Sequence, residues 1–230
     1  MITRRKDYTK QAPCKDARKL YIFCEGAGTE PSYFSFFEGL STNLEIITIP
    51  PENGTDPLKL MELAKEKMIG EKGRFIMDYK MNDSVWFVID TDTWDKEGKI
   101  EPLRTFCSTN NSAFGEQYTE VKSYSAWNVA QSNPCFEIWL YYHFFKDLPN
   151  SEEVASYPSF KAFVGSIITG GFNFQNDPVR IKAAVENAKT NFNRIDAGKL
   201  SMFSTEVFKL AELIIPFINQ HLDRLKSKMM

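Results

Sequence analysis

The sequence predicts an α/β domain, a mostly parallel sheet flanked by helices, followed by an α-helical C-terminal extension. Three observations carry this expectation. Leu20-Tyr21-Ile22-Phe23-Cys24 and Val85-Trp86-Phe87-Val88-Ile89 are apolar at every successive position, the pattern of strands covered on both faces. Each run leads straight into acid: Glu25 after the first, Asp90 and Asp92 after the second. Between and beyond them lie segments with helical spacing of apolar residues, and such alternation implies parallel strands joined by right-handed crossovers. The expected partition is a basic leader over residues 1–18, the α/β domain over 19–150, and a helical extension over 151–230 packed on the same core.

The leader carries Arg4, Arg5, Lys6, Lys10, Lys15 and Arg18 against Asp7 and Asp16, and reads as a frayed solvated segment or as a phosphate-contacting arm. After the first strand, Gly26 and Gly28 allow a tight turn. Thr29 is placed to cap a helix with Pro31 in its first turn, whose apolar face is Tyr33, Phe34, Phe36, Phe37 and Leu40. Leu44–Ile49 is the second strand. A helix from about Leu58 to Met68 follows, and the Asp90 strand is third. Beyond it come a polar loop and a short helix around Leu103–Cys107. Tyr118–Ser125 alternates well enough for a fourth strand. Asn133 as N-cap and Pro134 at the first helical position start a helix running to Phe145 that is apolar nearly all round. Further helices are expected near Glu152–Ile168, interrupted at Pro158, at Pro178–Phe192, and at Thr205–Leu225 with a kink at Pro216.

Composition narrows the function classes. A hydrophobic content of 43% in 230 residues suffices for a large core and excludes intrinsic disorder. A net charge of −2 excludes a domain that is basic throughout, so any nucleic acid must be held by local patches. Cys14, Cys24, Cys107 and Cys135 show neither CxxC nor zinc-ligand spacing, which fits a reducing cytoplasm. The N-terminus lacks the apolar stretch of a signal peptide, and Ile138–Phe145 is too short to span a bilayer. The expectation is a cytoplasmic protein without a membrane partner.

The acids carry the chemistry. In open α/β sheets ligands bind beyond the carboxyl ends of the strands, where Glu25, Asp90 and Asp92 stand. Carboxylates two apart on a strand can point to the same side, and an all-oxygen donor set suits Mg²⁺ or Mn²⁺. Glu137, the only acid of the buried helix, is costly there unless a metal or cation partners it. Clustered carboxylates repel one another, so one or more should have a raised pKa in the metal-free protein. The expected metal ligands and catalytic residues are Glu25, Asp90, Asp92 and Glu137, with Glu30 and Asp95 as weaker additions. His143 stands about 120° around the helix from Glu137 and reads as a hydrogen-bonded core residue. Lys182, Lys189 and Arg194 read as a solvated helix face rather than a basic stripe.

Phe23-Cys24-Glu25-Gly26-Ala27-Gly28-Thr29-Glu30-Pro31, Val88-Ile89-Asp90-Thr91-Asp92 and Ser132-Asn133-Pro134-Cys135-Phe136-Glu137-Ile138-Trp139-Leu140 together resemble the RloB family, found near restriction and phage-defence loci of bacteria and archaea. The resemblance covers about residues 18–146. It implies a core similar to the Toprim domain of topoisomerases, DnaG-type primases and OLD-type nucleases, in which a glutamate after the first strand and a later DxD hold Mg²⁺; these fall on Glu25, Asp90 and Asp92. RloB-like chains often carry Asn-Pro-Ser-Thr before the last helix, whereas Ser201-Met202-Phe203-Ser204-Thr205 lacks the Asn-Pro. The implied activity is a Mg²⁺- or Mn²⁺-dependent nuclease in anti-phage defence, with DNA or tRNA as substrate. A protein partner from the same locus and a homodimer are both compatible with it. The alternative is a non-catalytic Toprim-like module that binds nucleic acid or a partner. A haloacid-dehalogenase-like phosphatase fits less well, because Trp94 stands where that motif has Thr or Val and Glu25 would have no part.

Overall fold

The apolar runs form the centre of a four-stranded sheet. The computed structural model describes residues 10–52, 54–69, 73–117, 124–195 and 199–229. Its strands are β1 (Arg18–Cys24), β2 (Leu44–Ile49), β3 (Ser84–Asp90) and β4 (Trp127–Ser132), in the order β2-β1-β3-β4 with every pair parallel. The α-helices are α1 (Thr29–Ser35), α2 (Pro57–Ala64), α3 (Ile100–Gln117), α4 (Glu137–Tyr141), α5 (Ser151–Ala155), α6 (Phe160–Ile167), α7 (Ile181–Thr190) and α8 (Val207–Met229). A π-helical turn, Lys65–Ile69, prolongs α2.

Strand alternation sorts the side chains into two cores. Leu20, Ile22, Cys24, Trp86 and Val88 face α1 and the helices of the C-terminal half, with Phe163, Val185, Leu210 and Ile214 in the same cluster. Tyr21, Phe23, Val85, Phe87 and Ile89 face α2 and α3, where they meet Leu60, Leu63, Leu103 and Phe114. Both faces are therefore covered, which is why β1 and β3 tolerate no polar position in their centres. Among the described residues no helix is long and apolar enough to cross a membrane.

Several local expectations are corrected. The fourth strand is Trp127–Ser132 rather than Tyr118–Ser125: residues 118–123 lie outside the described residues, and Tyr124 and Ser125 are not in a strand. As the sheet's edge, β4 carries polar Asn128 and Gln131, which masks its pattern. The helix after β3 is 18 residues long, not a short one around Leu103–Cys107. At α1 the cap position falls on Gly28 with no side-chain hydrogen bond, so Thr29 does not cap; at α2 Asp56 does, accepting the Leu58 and Lys59 N–H groups. Asn133 and Pro134 do not begin a helix, which starts at Glu137. Asn133 instead donates its main-chain N–H to the Ser204 carbonyl and its amide N–H to that of Leu200, so it fastens the segment ahead of α8. α8 begins at Val207 rather than Thr205, and Pro216 lies inside it. Residues 1–9 of the leader lie outside the described residues.

The free edge of β4 is partly sealed from outside the sheet. The Asn111 side chain on α3 accepts the Trp127 N–H and donates to the Trp127 carbonyl, both at 2.8 Å, as a neighbouring strand would. At the other end the Gln131 carbonyl accepts the Glu206 N–H at 2.8 Å, and Ser132 pairs with Thr205 in a single antiparallel bridge. Ser201–Thr205, despite lacking Asn-Pro, thus seats the C-terminal half against the strand that leads to the acids.

Candidate active site

The chain leaves β1 toward β2 on one side and returns to β3 on the other, so the direction of strand order switches between β1 and β3. The carboxyl end of such a switch point is where an α/β sheet opens a crevice. Pairing of Cys24 with Val88 sets Glu25 next to the last turn of β3, and Asp90 lies opposite Ser132 of β4. A cleft of about 620 Å³ opens there, lined by Glu25, Glu30, Asp90, Asp92, Glu137 and Lys161 among others.

Glu25 is 9% exposed and both its oxygens are held: Oε2 accepts the Asp90 N–H at 2.8 Å, and Oε1 accepts the Trp94 indole N–H at 2.7 Å. Burial nonetheless pushes its pKa up to about 7; the two hydrogen bonds oppose that rise, and the charges of Glu30 and Asp92 add to it. Asp90 accepts the Phe136 N–H on Oδ1 at 2.8 Å. Its pKa stands well above the ordinary carboxylate value through burial, reinforced by Glu25, Glu30 and Glu137. Glu30, in the first turn of α1, is buried and accepts the Gly26 N–H at 3.0 Å, and burial raises its pKa as well. Any Cβ on Gly26 would collide with the Glu30 carboxylate, so the glycine serves close approach, whereas nothing crowds Gly28.

Glu137 projects from the first turn of α4, and its cation partner is Lys161 of α6, with Nζ 3.2 Å from Oε1. Asp92 is exposed on the rim, with φ of +32°, a conformation Asp tolerates better than most residues. The structure thus brings Glu25, Glu30, Asp90, Asp92 and Glu137 to one cleft. Asp95 is turned away and pairs with Lys199 at 2.8 Å. His143 is in the core: its Nδ1 lies 2.9 Å from the Trp139 carbonyl and must donate, so Nε2 accepts from the Tyr33 hydroxyl at 3.2 Å. Burial lowers its pKa to about 3, so it is neutral. Lys182 and Lys189 pair with Asp223 and Glu212 of α8, and Arg194 reaches Glu206, so the three form no stripe.

Sequence reasoning missed Trp94 and Lys161. Trp94 stood out only as a departure from a phosphatase motif, and nothing near Lys161 marks it.

Among the described residues no three Asp, Glu, His or Cys side chains already converge as a metal-ligand set. The donor chemistry of the cleft nevertheless fits a hard divalent cation. An ionised carboxylate has about four acceptor sites; Glu25 spends two, and Asp90 spends one, leaving its Oδ2 without a hydrogen-bond partner among the described residues. The raised pKa values come first from burial, and the neighbouring carboxylates add to them.

Comparisons with curated proteins and with solved structures return no match. A family model described as RloB-like protein matches residues 20–214. That span begins in β1, takes in every acid of the cleft together with Lys161, and runs beyond the α/β part into α8, further than the motifs alone reach. The chain belongs to the RloB-like family.

Proposed function

We propose that the protein is a Mg²⁺- or Mn²⁺-dependent phosphodiesterase acting on DNA or tRNA, with a Toprim-type arrangement of acids, and that it serves in anti-phage defence. The observation that carries this reading is the placement of Glu25, Asp90 and Glu30, all with raised pKa values, in the crevice between β1 and β3 with a lysine at its wall. Glu25 and Asp90 would hold the ion, with Asp92 and Glu137 nearest to complete the set. A bound divalent cation supplies Lewis acidity, bringing a water within reach of deprotonation near neutral pH and offsetting charge on the leaving oxygen.

The protein's own groups would do the rest. Lys161, its side chain 70% exposed, offers an ammonium to a non-bridging phosphate oxygen. Glu137, anchored by that lysine, orients a water at the cleft mouth. Trp94 and the Asp90 N–H hold Glu25 in one rotamer, so a ligand entering the cleft meets a fixed carboxylate. The defence role rests on the family resemblance alone.

The test is cleavage of plasmid DNA, single-stranded DNA and total tRNA in Mg²⁺, Mn²⁺ or EDTA, with Asp90→Ala beside the wild type. The expected result is metal-dependent cutting that falls at least ~100-fold in the variant, the scale of losing one electrostatic stabiliser. Absence of cutting, together with no Mn²⁺ binding by calorimetry, would leave the second reading, a non-catalytic binding module. The engagement of both Glu25 oxygens by protein donors is the observation that favours it.

A further inference from the structure

Beyond the loop that carries Asp92 and Trp94, the charge of the surface reverses. Glu206, just before α8, is 1% exposed and faces three cations: Arg104 Nη2 2.5 Å from Oε2, and Arg194 Nη2 and Lys209 Nζ at 2.6 and 2.7 Å from Oε1. One buried carboxylate is neutralised by one cation, so of Arg104 and Lys209 alone one positive charge is surplus, in a chain whose net charge is −2. Arg104 spends only Nη2, on Glu206 and on Gln131 Oε1; among the described residues its Nη1 and Nε have no partner.

These cations line a cleft of about 500 Å³ along the open edge of β4. The main-chain groups of Trp127 and Gln131 point outward, to Asn111 and Glu206. By strand alternation those of Val129 between them do too, and no described group bonds them. The cleft therefore presents a surplus positive charge, the unspent guanidinium edge of Arg104 and an outward main-chain N–H, with Ser108 and Ser112 of α3 on its wall. Anions, above all phosphate oxygens, satisfy such a set.

The basic cleft is tied to the acid one. Gln131, which receives Arg104, donates through Nε2 to Thr91 Oγ1 at 2.7 Å, and Thr91 stands between Asp90 and Asp92. A further depression adjoins the basic cleft, sharing Arg104 and Arg194 with it and adding Gln131 and Lys199. From the β1/β3 crevice to the β4 edge is about two strand spacings, roughly 10 Å, or about three nucleotides at the ~3.4 Å rise per residue of one strand.

Building on the nucleic-acid reading of the acid cleft, we propose that the cleft of Arg104, Arg194 and Lys209 at the β4 edge binds the phosphodiester backbone flanking the scissile position. It is a substrate-positioning site separate from the acids, and it acts without metal.

The experiment is binding of fluorescein-labelled single-stranded DNA, duplex DNA and tRNA by anisotropy in EDTA, between 25 and 200 mM salt. The chains compared are wild type, Lys209→Ala, Ser108→Glu/Ser112→Glu, and the control Thr105→Glu/Thr109→Glu. The control pair is also exposed on α3 and makes the same charge change outside the cleft. The Ser pair lies outside the ion cluster around Glu206, which keeps the test independent of folding losses. The expected result is binding about tenfold weaker for Ser108→Glu/Ser112→Glu than for the control, and severalfold weaker for Lys209→Ala. The slope of log affinity against log salt should fall by about one contact, ~0.7–0.9. Equal losses in the cleft and control pairs, no nucleic-acid binding by wild type in EDTA, or inorganic phosphate binding as tightly as an oligonucleotide would each overturn the assignment. Because EDTA removes any metal and binding rather than cutting is read, failure here is distinguishable from failure of the cleavage chemistry.

Discussion

Glu25 and Glu206 are both buried glutamates near the carboxyl end of the sheet, yet their environments push them in opposite directions. Burial raises Glu25 to about 7, and its neighbours are further carboxylates and two N–H donors. Burial also works to raise Glu206, but the Arg104 and Lys209 cations outweigh it and its pKa falls below the ordinary value. The same side chain is thus finished in one place and unfinished in the other. A carboxylate with cations built in is a structural anchor, whereas a cluster without them is a place where a ligand's charge stabilises the protein.

That contrast can be broken most forcefully at the anchor. Glu206→Ala leaves Arg104, Arg194 and Lys209 facing one another. It should cost about 4 kcal/mol, the scale of removing one side of a buried ion pair, read as a lowered midpoint in urea unfolding with unchanged slope. A loss below ~1 kcal/mol would mean that water already serves those cations and that Glu206 anchors nothing.

The acid cleft predicts a pH dependence of the opposite kind. Glu25 holds its proton more tightly folded, at about 7, than unfolded, near 4.5, so its ionisation opposes folding. The penalty is absent below pH 4.5, grows as pH rises and is complete above about 7. In EDTA, stability should therefore fall across that window by on the order of 3 kcal/mol. Glu25→Gln should lessen the fall, with Asp90 and Glu30 keeping a part of it through their own raised values, and saturating Mn²⁺ should reverse it. Unfolding curves at pH 5, 6, 7 and 8 that superimpose without metal would remove the distinction between the two glutamates.

The smallest effect sharpens the role of the indole. Trp94→Phe removes one N–H donor from Glu25 and should cost about 2 kcal/mol above pH 7, where the carboxylate is charged, and clearly less at pH 5. An equal cost at both values would assign Trp94 to packing alone.

The difference between these regions also explains what could be read from the chain. β1 and β3 were legible because strands buried on both faces leave unbroken apolar runs. Glu25, Asp90 and Asp92 were legible because the end of such a run locates the sheet's carboxyl edge. β4 was not, since an edge strand can hold Asn128 at the surface and bury Gln131 against Arg104 and Thr91. The partners that define each acid were hidden for a related reason. Trp94 meets Glu25 across 69 residues and Arg104 meets Glu206 across 102, and no local spacing encodes such pairs. Glu30 and Asp95 looked alike as acids beside the motifs; only the fold sends one into the cleft and the other to Lys199.

The closure of β4 by Ser204, Thr205 and Glu206 also sets an order of assembly. A growing chain that has emerged only as far as α4 already contains all four strands of the described sheet, but the edge of that sheet lacks the residues that close one end of it. Unpaired edges recruit other strands, so this is the stage at which neighbouring nascent chains are most exposed to mispairing. Lys161 and the last cation, Lys209, are synthesised later still than the acids they accompany. Both clefts are therefore completed in the final third of synthesis, the acid cleft before the edge of β4 is closed and the basic cleft only after it.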